Sequence, residues 1–279
     1  MRLTTLRITG EDRTTAARVD KKHFTLLPHT DVGALITSGP DWAQQAATHK
    51  GEQLPLHAAE TTNPPLTPRR VIRVGPNYPS RIKELKQPCP AVPPLTVTRP
   101  HTTSGPRATI PLPAQPDQGL NWGVELGVVI SRHGQDIPTI TALRHIAGYV
   151  IVNHLYTGNH STEPPESRTA RNRTARSILL MGPTLVTPEQ LPMGGRGLTL
   201  TATLGSRLVQ RANTSDLCFD VATLIGHAST LTALQPGDLI TTGTPGGTLN
   251  RPLESGRSLH SAIKGLDDID IDFTAAQGI

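Results

Sequence analysis

Asn121-Trp122-Gly123-Val124-Glu125-Leu126-Gly127-Val128-Val129-Ile130 is the stretch that decides the fold class. From position 124 to 130 it is apolar except for Glu125 and Gly127, and rich in the β-branched residues that suit a pleated surface. Asn121 and Gly123 punctuate its start, as strand boundaries do. Runs of the same kind recur at 71–74, 146–152, 198–204, 239–242 and 269–273, bounded by Gly, Pro, Asn or Asp. One helix is legible within 220–234, where Val221, Leu224, Ile225, Ala228 and Leu231 return at helical spacing before the turn Gln235-Pro236-Gly237-Asp238. The class expected is α+β, mostly β.

Upstream, residues 1–66 form a small N-terminal domain in this reading. Strand-like runs at 3–8 and 16–19 flank an amphipathic stretch at 31–47 that opens on Asp31. Proline crowds 63–68, which reads as a linker to a main domain at 67–279. Positions 86–119 and 155–177 show no periodicity, and loops of that length serve as lids or stay disordered.

Composition narrows the function classes. Eight aromatic residues stand against 26 prolines and 25 glycines, which predicts a chain rich in strands and loops. A net charge of +5 over 279 residues, without a concentrated basic stripe, predicts no nucleic-acid partner. Of the 27 basic residues 21 are arginine, whose planar fork suits carboxylate and phosphate. No apolar run is long enough to span a bilayer or act as a signal peptide, so no membrane role and a cytoplasmic location are expected. Cys89 and Cys218 stand alone and read as buried inert thiols. Walker, Gly-x-Gly-x-x-Gly, His-Glu-x-x-His and Gly-x-Ser-x-Gly patterns are missing.

Several segments in order resemble the fumarylacetoacetate hydrolase family: Val74-Gly75-Pro76-Asn77-Tyr78, the 121–130 stretch, Ala147-Gly148-Tyr149-Val150-Ile151-Val152-Asn153, Met181-Gly182-Pro183, Asn213-Thr214-Ser215-Asp216 and 235–247. The resemblance implies a mixed β-roll core, a homodimer, and Mg²⁺- or Mn²⁺-dependent cleavage or rearrangement of acylpyruvates and related β-dicarbonyl acids. In similar proteins a Glu-x-Glu strand and a later Asp hold the metal, because alternate strand residues aim at one point. The corresponding positions here carry Gly123, Glu125 and His154. One carboxylate is too little charge for a hard dication, so no metal and no cofactor are expected. His154 reads as a pocket-wall imidazole or as a ligand of a softer ion.

The family's water-activating His-x-x-Glu pair falls on Arg81 and Glu84. A guanidinium stays protonated near neutral pH and cannot be a general base. An exposed i,i+3 ion pair is the alternative for these two residues. The lid lysine of similar proteins corresponds to Arg173, within Arg168, Arg171, Arg173 and Arg176, and a Lys-Pro pair to Arg99-Pro100. That cluster grips an anion or is a solvated face. The intact piece is Thr242-Gly243-Thr244-Pro245-Gly246-Gly247, whose glycines and backbone N–H groups suit an anion-binding concavity or a structural turn.

The sequence therefore predicts a metal-independent, non-hydrolytic enzyme of specialised metabolism. It would isomerise, decarboxylate or cyclise an enolisable or β-dicarbonyl small molecule by positioning and electrostatics. Glu125 or His154 would transfer the proton; Arg81 and Arg173 would contact the anion, with Glu84 beside them. Thr244 would anchor the substrate, in a site shared with Tyr78, Arg99, Thr242 and Gly246. A rearranged metal-dependent hydrolase or decarboxylase, and a catalytically dead binding or partner-stabilising relative, are the competing readings.

Overall fold

The computed structural model describes residues 1–8, 13–60, 63–99, 102–113, 120–157, 177–249 and 251–275. The strands in chain order are β1 (Arg2–Ile8), β2 (Thr14–Val19), β3 (His23–Leu26), β4 (Gln53–Pro55), β5 (Ala59–Glu60), β6 (Val71–Val74), β7 (Leu95–Thr98), β8 (Thr102–Ser104), β9 (Arg107–Pro111) and β10 (Leu120–Asn121). They continue with β11 (Val124–Ile130), β12 (Ile146–Thr157), β13 (Ser177–Met181), β14 (Thr184–Val186), β15 (Thr199–Leu204), β16 (Arg207–Asn213), β17 (Leu239–Thr241), β18 (Ser258–Ile263) and β19 (Asp268–Thr274). Helices α1 (Val32–Thr37), α2 (Trp42–Thr48), α3 (Pro79–Glu84), α4 (Thr139–Ala142) and α5 (Val221–Leu231) are short. The class is α+β and mostly β.

Two sheets carry the structure. The larger runs β4-β3-β2-β1-β14-β12-β11-β17-β6-β7, and the smaller runs β16-β15-β18-β19-β9. The N-terminal strands extend the large sheet, because β1 pairs antiparallel with β14. At its centre β11 and β12 pair antiparallel from Val124 opposite Asn153 to Ile130 opposite Ile146.

Both faces of this centre are covered, which explains why the run at 124–130 is apolar at five of its seven positions. Val124, Leu126, Val128 and Ile130 face the smaller sheet and join Leu200, Leu259, Ile271 and Phe273 in one core. On the opposite face Val129, Val150, Val152 and Leu239 pack against Leu35, Ile36 and Trp42 of α1 and α2. The amphipathic stretch at 31–47 is thus two helices, broken around Gly39-Pro40, with Asp31 capping α1 through a bond from the Ala34 N–H at 2.8 Å.

The helix expected near 220–234 is α5, capped by Asp220, whose side chain accepts from the Thr223 N–H. The Gln235–Asp238 turn is tied down by Arg70, whose guanidinium pairs with the buried Asp238 carboxylate. Two expectations need correcting. Residues 86–119 contain β7, β8 and β9, whose pairing with distant β6, β13 and β19 no local periodicity signals. Cys89 and Cys218 are exposed, not buried.

Candidate functional site

Strand register brings the chemistry together. Glu125 lies opposite Val152, and His154 and Tyr156 follow on the same face of β12. Gly127 lies opposite Thr241, and Thr241 lies opposite Arg73 of β6. Arg73, Glu125, His154 and Tyr156 therefore share the face that α1 and α2 cover further along. Where that cover ends, they line a cavity of about 100 Å³ together with Arg81, Trp122, Gly123 and Thr244.

Glu125 is the carboxylate of this cavity and is only 7% exposed. Burial pushes its carboxyl above the ordinary range, while the Arg73 charge opposes that shift. Its Oε2 accepts the Gly243 N–H at 2.8 Å. His154 is also buried, and burial with the Arg73 charge holds its imidazole well below the usual value, so the ring is neutral. Its Nε2 lies 2.7 Å from the Ser177 hydroxyl, and its Nδ1 has no hydrogen-bond partner among the described residues. The His154 and Tyr156 rings are 5.2 Å apart, and the Arg73 guanidinium sits 4.5 Å over the Tyr156 ring.

Arg81 and Glu84 are not an exposed pair. Arg81 is 3% exposed and reaches Glu84 at 2.5 Å and the Thr248 hydroxyl at 3.0 Å. Glu84 accepts the Gly247 and Leu249 N–H groups at 3.0 and 3.1 Å. Burial raises the Glu84 carboxyl, but the Arg81 contact and these two backbone bonds outweigh it and leave it lowered. Helix α3 thereby clamps the 243–249 loop from behind the cavity. Arg81 lines the cavity itself, and Glu84 positions it.

The loop glycines serve that clamp. A Cβ on Gly243, at φ +88°, would sit 2.8 Å from the Gly75 carbonyl oxygen, and one on Gly246 2.7 Å from that of Ser80. The N–H groups of Gly243 and Gly247 cradle the protein's own carboxylates, Glu125 and Glu84, and that of Gly246 donates to Ser80. The open anion-binding concavity expected of this loop is therefore filled from within.

Of the residues singled out from sequence, Arg81, Glu125, His154 and Thr244 meet in the cavity. Tyr78 does not: it is fully buried, its hydroxyl lacks a partner among the described residues, and burial pushes its pKa up. Thr242 is buried in the same way, Gly246 packs on α3, and Arg99 is exposed at the end of β7. Arg168, Arg171, Arg173 and Arg176 lie outside the described residues. Arg73, Trp122 and Tyr156 escaped the sequence reading. A charged residue inside the buried run Val71-Ile72-Arg73-Val74 was the available signal.

The donor set among the described residues does not fit a hard dication. Among the described residues no three His, Cys, Asp or Glu side chains converge, and Glu125 faces the charges of Arg73 and Arg81. A side chain at position 123 would meet Thr244, whose Oγ1 lies 2.2 Å from the Cβ position. Gln210 holds Thr244 there, donating to its Oγ1 at 2.9 Å and to the Pro245 carbonyl at 2.7 Å. A wider open groove of about 630 Å³ beside Lys264 and Asp267 gathers no comparable set of groups.

Comparison with known proteins places this geometry. The chain is 29% identical over 205 residues to a human mitochondrial protein named oxaloacetate tautomerase FAHD2B, and 28% identical over 190 residues to a Dictyostelium discoideum fumarylacetoacetate hydrolase domain-containing protein 2 homolog. These matches cover 74% and 66% of the chain but 65% and 62% of the relatives, less than two thirds of either. A solved Mycobacterium smegmatis structure carrying the name HpcE superposes with a TM-score of 0.83 at 28% identity, covering 99% of this chain and all of that one. A 5-carboxymethyl-2-hydroxymuconate delta-isomerase from the same organism shares the fold at 23% identity and a TM-score of 0.75, each chain fully covered. The domain described as fumarylacetoacetate (FAA) hydrolase C-terminal matches residues 70–272, the span that holds both sheets' centres and the cavity, and so the chain belongs to the fumarylacetoacetate hydrolase family.

Proposed function

We propose that this chain is a metal-independent, non-hydrolytic enzyme that moves a proton within a small, anionic, enolisable oxo acid, as a tautomerase or isomerase does. The carrying observation is Glu125, the one carboxylate among the described residues that line the cavity, set among the guanidiniums of Arg73 and Arg81. Tautomerisation needs one group that takes a proton from carbon and returns it to oxygen, together with positive charge near the enolate that forms. Glu125 supplies the first and Arg73 and Arg81 the second. Arg73 binds the substrate's carboxylate, and Trp122, Tyr156 and the neutral ring of His154 wall its carbon skeleton. Hydrolysis would further require a positioned water and its activation, for which this donor set is poor.

The name of the human relative suggests oxaloacetate as the first compound to try. Enol disappearance is followed by ultraviolet absorbance in the presence of a strong chelator. Full activity with chelator, and a loss of about 100-fold or more in Glu125→Gln, is the expected outcome. Dependence on added Mg²⁺ or Mn²⁺ would overturn the proposal.

A further inference from the structure

Gln210 is the single buried residue of β16, the edge strand of the smaller sheet. The pairing of β15 with β16 slips beside it, from Ala202 opposite Gln210 to Thr203 opposite Leu208, and a bulge of this kind re-aims a side chain. Gln210 reaches the loop at 243–249. Its Oε1 accepts the Val124 N–H at 3.1 Å, while its Nε2 donates to the Pro245 carbonyl at 2.7 Å and to Thr244 Oγ1 at 2.9 Å. A backbone N–H can only donate and a carbonyl can only accept, so Val124 and Pro245 fix which end of the amide is nitrogen. Both amide hydrogens are then used, and the Thr244 hydroxyl must accept one of them. Its own proton points away from Gln210, and among the described residues no acceptor takes it. Thr244 lines the cavity, with Oγ1 in the volume that a side chain at 123 would fill, two residues before Glu125.

We propose that Gln210 is a positioning residue that makes the Thr244 hydroxyl an obligate hydrogen-bond donor to an anionic ligand oxygen beside Glu125. If the tautomerase reading holds, on which this step rests, that atom is the enolate oxygen. A donor fixed in place before reaction stabilises the charge that develops there without having to reorient. Gln210 touches no substrate itself: it acts through the hydroxyl it orients.

Oxalate, an unreactive dianion shaped like the enolate of a 2-oxo acid, is the probe, titrated calorimetrically into the full chain with a chelator present. Thr244→Val removes the hydroxyl at nearly constant shape and should weaken oxalate binding by about 10-fold or more, since a hydrogen bond to a charged group is lost. Thr244→Ser should restore much of that affinity. Gln210→Met should weaken binding by a comparable factor in the unaltered chain, but by no more than about 2-fold when added to Thr244→Val. Where Gln210→Met does not fold, Gln210→Asn takes its place, because the shorter amide cannot hold Val124 and Thr244 together, and the same pattern is expected. An equal loss in both backgrounds, unchanged affinity in Thr244→Val, or no oxalate binding by the unaltered chain would each overturn the proposal. Turnover is assayed separately: the expected binding pattern in a chain that tautomerises no oxo acid would refute the tautomerase reading and leave the Gln210–Thr244 assignment standing.

Discussion

Gly123 and Thr244 share one volume: a Cβ built on the glycine would lie 2.2 Å from the threonine Oγ1 and 2.8 Å from its Cβ. Overpacking a filled site costs about 1–3 kcal/mol. Gly123→Ala should lose stability in that range, and Thr244→Gly should recover much of the loss. Urea denaturation of the two single variants and the double variant reads the coupling. Strictly additive costs would contradict the shared volume.

Glu84 is expected to matter through the loop it holds. Glu84→Gln weakens a charged acceptor that receives the Gly247 and Leu249 N–H groups and the Arg81 guanidinium. A loss of about 1–3 kcal/mol is expected. Amide exchange at Gly247 and Leu249 should quicken more than exchange in β11; unchanged protection at both amides would argue against the clamp.

The acid limb of kcat/KM should report Glu125. Its base form is the ionised one, and burial raises its pKa above the ordinary carboxylate value of 4.5. The rate should therefore rise with pH through a point above 4.5. Arg73 favours the ionised form, so Arg73→Met should move that limb further up. A limb at or below 4.5, or a downward move in the variant, would refute the assignment.

Substrate affinity should depend on Arg73. A charge-assisted contact to a carboxylate contributes about 1.5–3 kcal/mol, so Arg73→Met should raise KM for an anionic oxo acid by roughly 10- to 100-fold. Arg73→Lys should restore part of this loss, since the charge survives without the fork. Equal KM values across the three proteins would exclude Arg73 from binding.

His154 should make folding sensitive to mild acid. The folded chain holds its pKa well below 6.5, whereas the unfolded chain binds the proton near 6.5. Below that pH the unfolded state takes up more protons, so stability falls as pH drops. The slope of stability against pH just below 6.5 should flatten in His154→Asn. An unaltered slope would show that other groups carry the effect.

Strand-forming runs and helix caps were legible because they are local. The run at 124–130 announced β11 to the residue, Asp31 announced α1, and the apolar spacing from Val221 to Leu231 announced α5. The ordered segments at 74–78, 121–130, 147–153 and 235–247 pointed to the fold and to the Glu125 and His154 positions. Strands β7, β8 and β9 were hidden, since short strands gain their stability from partners elsewhere in the chain, which local sequence does not display. Tyr78, Thr242 and Gly246 lie in the right segments but face the core or α3, because neighbouring residues on a strand or loop point in different directions.

By itself the sequence determined the class of fold, the carboxylate at 125 and the arginine at 81. Tertiary structure alone decided that Arg73 stands across two strands from Glu125 and that Glu84 holds a loop. The reason lies in register. A chain's residue order specifies which groups exist, whereas which groups share a cavity depends on pairings between strands and loops that are many residues apart.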